Sequence, residues 1–158
     1  GVLLLNTTFL LFFSKYSTSL DVLAGFLDEN PLFFFSHEET LRMSAMAQEK
    51  FETFRRYFDQ FSDSEDFTFL VKLGYFVDDA EEENEREHLW FEVKSMKEEE
   101  IEAVLLNAPY GVERLKEGDK GWHPLELLSD WQIMSVLGNY TPSQIADFEV
   151  ELEKAELT

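Results

Sequence analysis

Residues 87–131 read EHLWFEVKSMKEEEIEAVLLNAPYGVERLKEGDKGWHPLELLSDW, and this stretch decides the fold class. Apolar and polar residues alternate at 89–93, as on a half-buried β-strand, and a second apolar run covers 101–106. Pro109 ends that run because proline cannot donate to a strand ladder. Gly118 lies in a polar turn and is expected at positive φ.

Two more short strands are predicted at 120–128 and 130–134, with Pro124 marking an edge or a bulge. Upstream, residues 67–75 alternate in the same way and form a further strand. The segment 78–87 carries carboxylates against Arg86 alone, so it is expected to be an exposed connection between strands. The pattern predicts an antiparallel meander.

A long amphipathic helix is predicted to start at His37, because Ser36 and Glu39 match the Ser-x-x-Glu capping box. Its apolar stripe repeats at spacings of three and four and is interpreted as core: Ala47, Phe51, Phe54, Phe58 and Phe61. A second box at 141–144, with Tyr140 as a hydrophobic staple on Ile145, starts a final helix. The helix is predicted to carry Ile145, Phe148, Leu152 and Ala155 on one side.

The fold class is therefore predicted as α+β: a curved antiparallel meander sheet packed by a long amphipathic helix, with a further C-terminal helix. Residues 37–158 are assigned to this domain. Residues 1–36 are interpreted as an N-terminal strand-helix-strand segment. The chain begins with Gly1 and not Met, which leaves open whether this segment belongs to a truncated neighbouring domain.

The net charge limits the kinds of binding partner, and the cysteine content limits the kinds of chemistry that the protein can perform. The formal net charge is −20, and residues 67–100 hold 11 acidic side chains against four basic ones. Such a field repels nucleic-acid phosphates and anionic membranes and attracts a basic protein partner. The competing interpretation is that the charge serves only to keep the protein soluble. No cysteine is present, which favours the reducing cytoplasm and removes thiolate chemistry. Neither a cofactor nor a metal site is predicted, and the sequence leaves the oligomeric state open.

The order of several short motifs between about residues 39 and 134 resembles domain-of-unknown-function family 2314, the YegJ-like bacterial proteins. The matching pieces are Met43-Ser44, Phe69-Leu70-Val71-Lys72, Glu87-His88-Leu89-Trp90, Leu106-Asn107-Ala108-Pro109, Gly118-Asp119 and Asp130-Trp131. The resemblance implies a helix on a curved antiparallel sheet and carries over no catalytic residues. The occurrence of such domains beside toxin-immunity-like modules implies an inhibitory or regulatory role.

Four residues of these motifs are candidate binding residues: His88, Trp90, Asn107 and Asp130. A histidine and a carboxylate can form an acid–base pair, although neighbours such as Glu87 and His88 point to opposite faces of a strand. Each of these residues also has a purely structural interpretation, and for His88 it is a partly exposed imidazole hydrogen-bonded within the sheet. Asp130 can accept backbone N–H bonds while Trp131 fills the core, whereas an exposed Trp90 would mark a contact surface. Together with Trp122, Trp131 and Tyr110, Trp90 can also line a shallow cleft.

Catalytic signatures are missing from the sequence, which contains no Walker loop, no Gly-x-Ser-x-Gly elbow and no His-Glu-x-x-His. A non-enzymatic, acidic protein-binding or regulatory module, with an immunity-like role among the possibilities, is therefore the favoured function. The alternative is a small-molecule-binding or hydrolytic domain with a pocket around His88, Asn107 and Asp130. That alternative requires the three side chains to converge. A purely structural domain within a larger chain is the third interpretation.

Overall fold

This computed structural model describes residues 37–155, which contain three α-helices and six β-strands joined by turns and loops. The helices are α1 (His37–Glu49), α2 (Phe51–Phe61) and α3 (Ile145–Ala155). The strands are β1 (Phe67–Phe76), β2 (Arg86–Met96), β3 (Glu100–Leu105), β4 (Lys120–Pro124), β5 (Leu128–Ser135) and β6 (Gly138–Tyr140). The segment predicted at residues 1–36 lies outside the described residues.

The strands form one sheet in the order β4-β3-β2-β1-β5-β6. From β1 to β4, each strand pairs antiparallel with the next one along the chain, and β5 and β6 lie on the other side of β1. The predicted α+β class with an antiparallel meander is confirmed. Pro124 ends the edge strand β4, where its missing N–H interrupts no central ladder, and Gly118 has a positive φ of 91° as predicted.

The described residues group into two compact units. The first contains residues 50–69 and 132–155, and the second contains residues 37–49 and 70–131. In the first, Phe54 and Phe58 of α2 meet the ring of Phe69 on β1 edge-on, with centroid separations of 5.5 and 5.3 Å. The phenyl stripe predicted from the helical period is therefore core, as expected.

Helix α3 completes the aromatic core of the first unit. The Thr141 N–H donates to the side chain of Gln144 at 3.0 Å, as the predicted capping box requires. The fully buried ring of Phe148 lies 4.9 Å from the rings of both Tyr57 and Tyr140. Of the four residues predicted to share one side of this helix, Ile145, Phe148 and Leu152 are buried, whereas Ala155, its last residue, is exposed.

The single long helix predicted from His37 onward is wrong, because it is divided at Lys50. Lys50 has φ −101° and ψ 11°, away from the helical values of about −63° and −42°. In a continuous helix the Ala47 carbonyl would accept the N–H of Phe51. Instead it accepts the indole Nε1–H of Trp131 on β5 at 3.0 Å. This long-range contact lies at the interruption, and local periodicity does not reveal it.

Candidate functional site

The register of β1 and β2 places two of the predicted residues on one face of the second unit. Lys72 lies directly opposite Trp90, and Gly74 lies opposite His88. The Lys72 ammonium is 5.1 Å from the centre of the Trp90 ring, within the range of a cation–π contact. The His88 ring fills the space above Gly74, since a Cβ at that position would lie 2.8 Å from His88 Cε1. Glycine at 74 thus makes room for the imidazole.

A buried serine fixes the orientation of His88. The Ser129 hydroxyl donates its one proton to the Lys72 carbonyl oxygen at 3.2 Å. With the hydroxyl proton on that carbonyl, the imidazole donates from Nδ1 in the 2.9 Å bond between His88 Nδ1 and Ser129 Oγ. In this arrangement neutral His88 is the Nδ1–H tautomer, and Nε2 is a lone-pair acceptor.

Burial and neighbouring cations keep His88 neutral. Burial lowers the pKa of His88 to about 4, and the charges of Lys72 and Arg86 act in the same direction. Burial also lowers the pKa of Lys72, while Asp130 partly opposes that change. Conversely, burial raises the pKa of the Asp130 carboxyl, against the influence of Lys72. Lys72 therefore couples electrostatically to both predicted titratable residues.

Asp130 and Asn107 each have a structural partner. Oδ1 of Asp130 accepts the N–H of Trp131 at 2.8 Å, the backbone role that the sequence suggested. Oδ1 of Asn107 accepts the N–H of Trp90 at 3.1 Å, just beyond the end of β3, and so continues the hydrogen bonding of β2 where the strand partner stops. Within residues 37–155, no hydrogen bond joins His88, Asn107 and Asp130 to one another.

The condition under which Trp90 would mark a contact surface is not met, because only 7% of its surface is exposed. Part of its cover comes from Lys72, which lies directly opposite on β1 with its ammonium over the indole. Trp131 is fully buried, whereas Trp122 is 40% exposed and carries the Lys97 ammonium 4.1 Å from its ring centre. Because Trp90 and Trp131 are core residues, they do not line an open cleft with Trp122 and Tyr110.

Sequence reasoning missed Lys72 and Ser129. The signal for Lys72 was a single charge within the otherwise uncharged strand 67–76. Ser129 gave no such signal, because a serine is common at the start of any strand. The contact of Lys72 with Trp90 depends on β2 lying next to β1, and the bonds of Ser129 depend on β5 lying on the other side of β1. The order of strands cannot be deduced from alternation alone.

A second arrangement in this unit holds two loops together, and we call it the clamped loop: residues 77–85 with residues 107–119. Both oxygens of Glu87 accept backbone N–H groups, from Tyr110 and Gly111, at 2.8 Å each. Asp78 accepts the N–H of Glu113 at 2.8 Å and contacts the Arg114 guanidinium at 3.1 Å. The carboxylates of Asp78 in one loop and of Glu87 at the start of β2 thus fix the backbone of the other loop.

The ring of Tyr75 underlies this arrangement. Its hydroxyl lies 2.5 Å from Nδ1 of the buried His123, and Arg114 lies over its ring. Burial raises the pKa of Tyr75 and lowers that of His123, so both groups favour their neutral forms. A neutral tyrosine–histidine pair therefore lies next to the loop and contacts it through Arg114.

Residues 37–155 contain no group of three or more His, Cys, Asp or Glu side chains arranged to hold a metal ion. Over the same residues, no helix is long and apolar enough to cross a membrane.

The sheet, the three helices and the buried polar network define a class: an α+β domain built on a six-stranded antiparallel sheet. A family model described as "uncharacterized protein conserved in bacteria" (DUF2314) matches residues 38–156. The chain belongs to this family, which confirms the resemblance and extends it through α3. Neither a curated protein nor a solved structure matches the chain.

Proposed function

We propose that this protein is a non-enzymatic, acidic binding or regulatory module that associates with a basic protein partner in the cytoplasm. The observation that carries the proposal is the exposed acidic part of the clamped loop. Asp79, Glu81 and Glu82 are exposed and form no ion pair with any described residue. Their charges are therefore available to a partner.

Only two carboxylates of residues 77–85 are paired with an arginine among the described residues. Glu83 pairs with Arg86 at 2.6 Å, and Asp78 pairs with Arg114 at 3.1 Å. These bases neutralise two carboxylates at the ends of the loop and leave the central ones unopposed. An uncompensated field of one sign speeds the encounter with an oppositely charged protein and is weakened by salt.

The test is a pull-down from the native bacterial cell with the full chain as bait, over a series of salt concentrations. The triple variant Asp79→Asn, Glu81→Gln, Glu82→Gln serves as the second bait. Its matched control is Asp147→Asn, Glu151→Gln, Glu153→Gln, which removes the same charge from α3.

The expected result is a basic partner that is retained at low salt, lost at high salt and weakened by the loop variant more than by the α3 variant. A partner indifferent to salt, or equally weakened by both variants, contradicts a loop-centred electrostatic interaction. Failure to recover any protein contradicts the proposal as a whole.

The half-buried group of Lys72, His88 and Asp130 favours a second candidate function, non-covalent binding of a small polar molecule. The lone pair of His88 Nε2 and the Lys72 ammonium have no hydrogen-bond partner within residues 37–155, so they offer an acceptor and a donor near each other. A hydrolytic role is not supported in the same way. Ser129 is buried and its proton is held by the Lys72 carbonyl.

Thermal-shift screening of polar metabolites against the wild type and Lys72→Met tests this second function. A ligand that stabilises the wild type and not Lys72→Met supports it. If every ligand that raises the melting temperature does so equally in both proteins, Lys72 has no part in binding and the second function is wrong.

A further inference from the structure

Two aromatic rings beside the clamped loop each carry a guanidinium group, one from Arg86 at the start of β2 and one from Arg114 of the loop. The Arg86 Cζ lies 3.9 Å from the centre of the Phe76 ring, and the Arg114 Cζ lies 5.6 Å from the centre of Tyr75. Delocalised, weakly hydrated guanidinium groups stack on aromatic faces in this way. The arrangement shows which side-chain chemistry this part of the surface accommodates.

Tyr110 is the third aromatic residue of this region, and no described side chain stacks on its ring. The residue is 99% exposed, so no other side chain covers the ring. A tyrosine that is fully exposed contributes nothing to the core, yet it presents a large apolar and polarizable face to solvent. Tyrosine is also one of the residue types that dominate binding energy at protein interfaces.

The loop that carries Tyr110 is fixed in place. Glu87 holds the N–H of Tyr110 itself and that of Gly111, while the Gly111 carbonyl accepts the N–H of Asp78 at 2.8 Å. A side chain on a fixed backbone loses less conformational freedom on binding than one on a mobile loop. Tyr110 is therefore presented to a partner from a position set in advance.

We infer that Tyr110 receives an arginine side chain of the basic partner, with the unpaired carboxylates of the clamped loop attracting the rest of that partner's positive surface. This inference rests on the proposed function and names the residue and the chemistry by which the partner is recognised. Arginine fits better than lysine, because its planar guanidinium can stack on the ring while its N–H groups meet carboxylates. Glu87 acts as a positioning residue and does not contact the partner's arginine.

The test measures binding of two labelled peptides, nonaarginine and nonalysine, by fluorescence anisotropy at low and high salt. Wild-type protein is expected to bind nonaarginine more tightly by roughly twofold to fivefold, the range that an exposed cation–π contact of about 0.5–1 kcal/mol gives. Tyr110→Ala is expected to abolish this preference, and Tyr110→Phe, which keeps the ring, is expected to retain it. Because the side chain is exposed, neither change should alter the melting temperature.

Two variants of Glu87 test its positioning role. Glu87→Gln and Glu87→Ala remove the same charge, but only the glutamine keeps an acceptor for the loop N–H groups. The preference for arginine should therefore survive better in Glu87→Gln. Equal loss in both variants contradicts positioning by Glu87.

The outcomes separate the inference from the proposed function. If both peptides bind with salt sensitivity and Tyr110→Ala leaves the arginine preference unchanged, the inference is overturned and the acidic binding function stands. If neither peptide binds at low salt, both are overturned.

Discussion

The two units of the described chain hold their residues by different means. Residues 50–69 with 132–155 are joined by stacked and edge-on rings, among them Phe54, Phe69 and Phe148. Residues 37–49 with 70–131 also bury apolar side chains, but they add a polar network around His88 and a carboxylate clamp at Glu87. The packing of aromatic side chains therefore holds the first unit together. In the second unit, the strand register also decides which polar groups meet.

The largest effect is expected from the aromatic unit. Phe148→Ala removes a fully buried ring that contacts Tyr57 and Tyr140, which should cost about 3–5 kcal/mol of unfolding free energy. Val150→Ala on the exposed side of the same helix is the control and should change stability by less than about 0.5 kcal/mol. Urea denaturation measures both. A loss below that of a typical surface substitution in Phe148→Ala would show that the rings do not form the core.

A smaller effect, dependent on pH, is expected from the polar network. The pKa of His88 is lowered to about 4 in the folded state, so folding disfavours its protonation. The contribution of neutral His88 to the free energy of unfolding is fully present above the unfolded pKa of about 6.5, and it is lost as the pH falls toward 4. Since the ring is partly exposed, the loss should be roughly 1–3 kcal/mol.

His88→Asn should flatten this part of the stability profile, measured by urea denaturation between neutral pH and pH 4. The raised pKa of Asp130 acts in the opposite direction, because protonation of that carboxyl is favoured by folding. The comparison with His88→Asn isolates the histidine. Identical profiles for the two proteins would contradict a neutral, buried His88.

Gly74→Ala tests close packing within the polar network. The new Cβ would lie 2.8 Å from His88 Cε1, and this overpacking should cost about 1–3 kcal/mol. Adding His88→Ala removes the opposing ring, so the penalty of the glycine change should shrink in the double variant. Additive losses in this double-mutant cycle would place the His88 ring away from Gly74.

The smallest effect is expected at Asn107, whose side chain accepts the N–H of Trp90. Asn107→Ala leaves that donor without its acceptor and should cost about 1–2 kcal/mol. Asn107→Asp keeps an oxygen in the same place and should be less destabilising. If alanine and aspartate are equally tolerated, the hydrogen bond has no part in stability, and a binding role for Asn107 regains support.

Much of the fold follows from local pattern. The helical stripe through Phe54 and Phe58, the alternation in β1 and the capping box at Thr141 each depend on residues close in sequence, and each is confirmed. The break at Lys50 and the burial of Trp90 were not predicted, because they depend on contacts with distant strands. Lys72 and Ser129 were missed for the same reason. Their roles exist only once β1, β2 and β5 are neighbours.

The bond from the Trp131 indole to the Ala47 carbonyl gives the molecule an internal optical probe. Trp131 emits from a fully buried site, whereas Trp122 is partly in contact with water, so their emission maxima should differ. If α1 separates from β5 before the sheet unfolds, the blue component should shift to longer wavelength while the signal of the sheet in circular dichroism persists. The substitution Trp122→Phe removes the partly exposed emitter, so that the buried tryptophans report the separation without an attached dye.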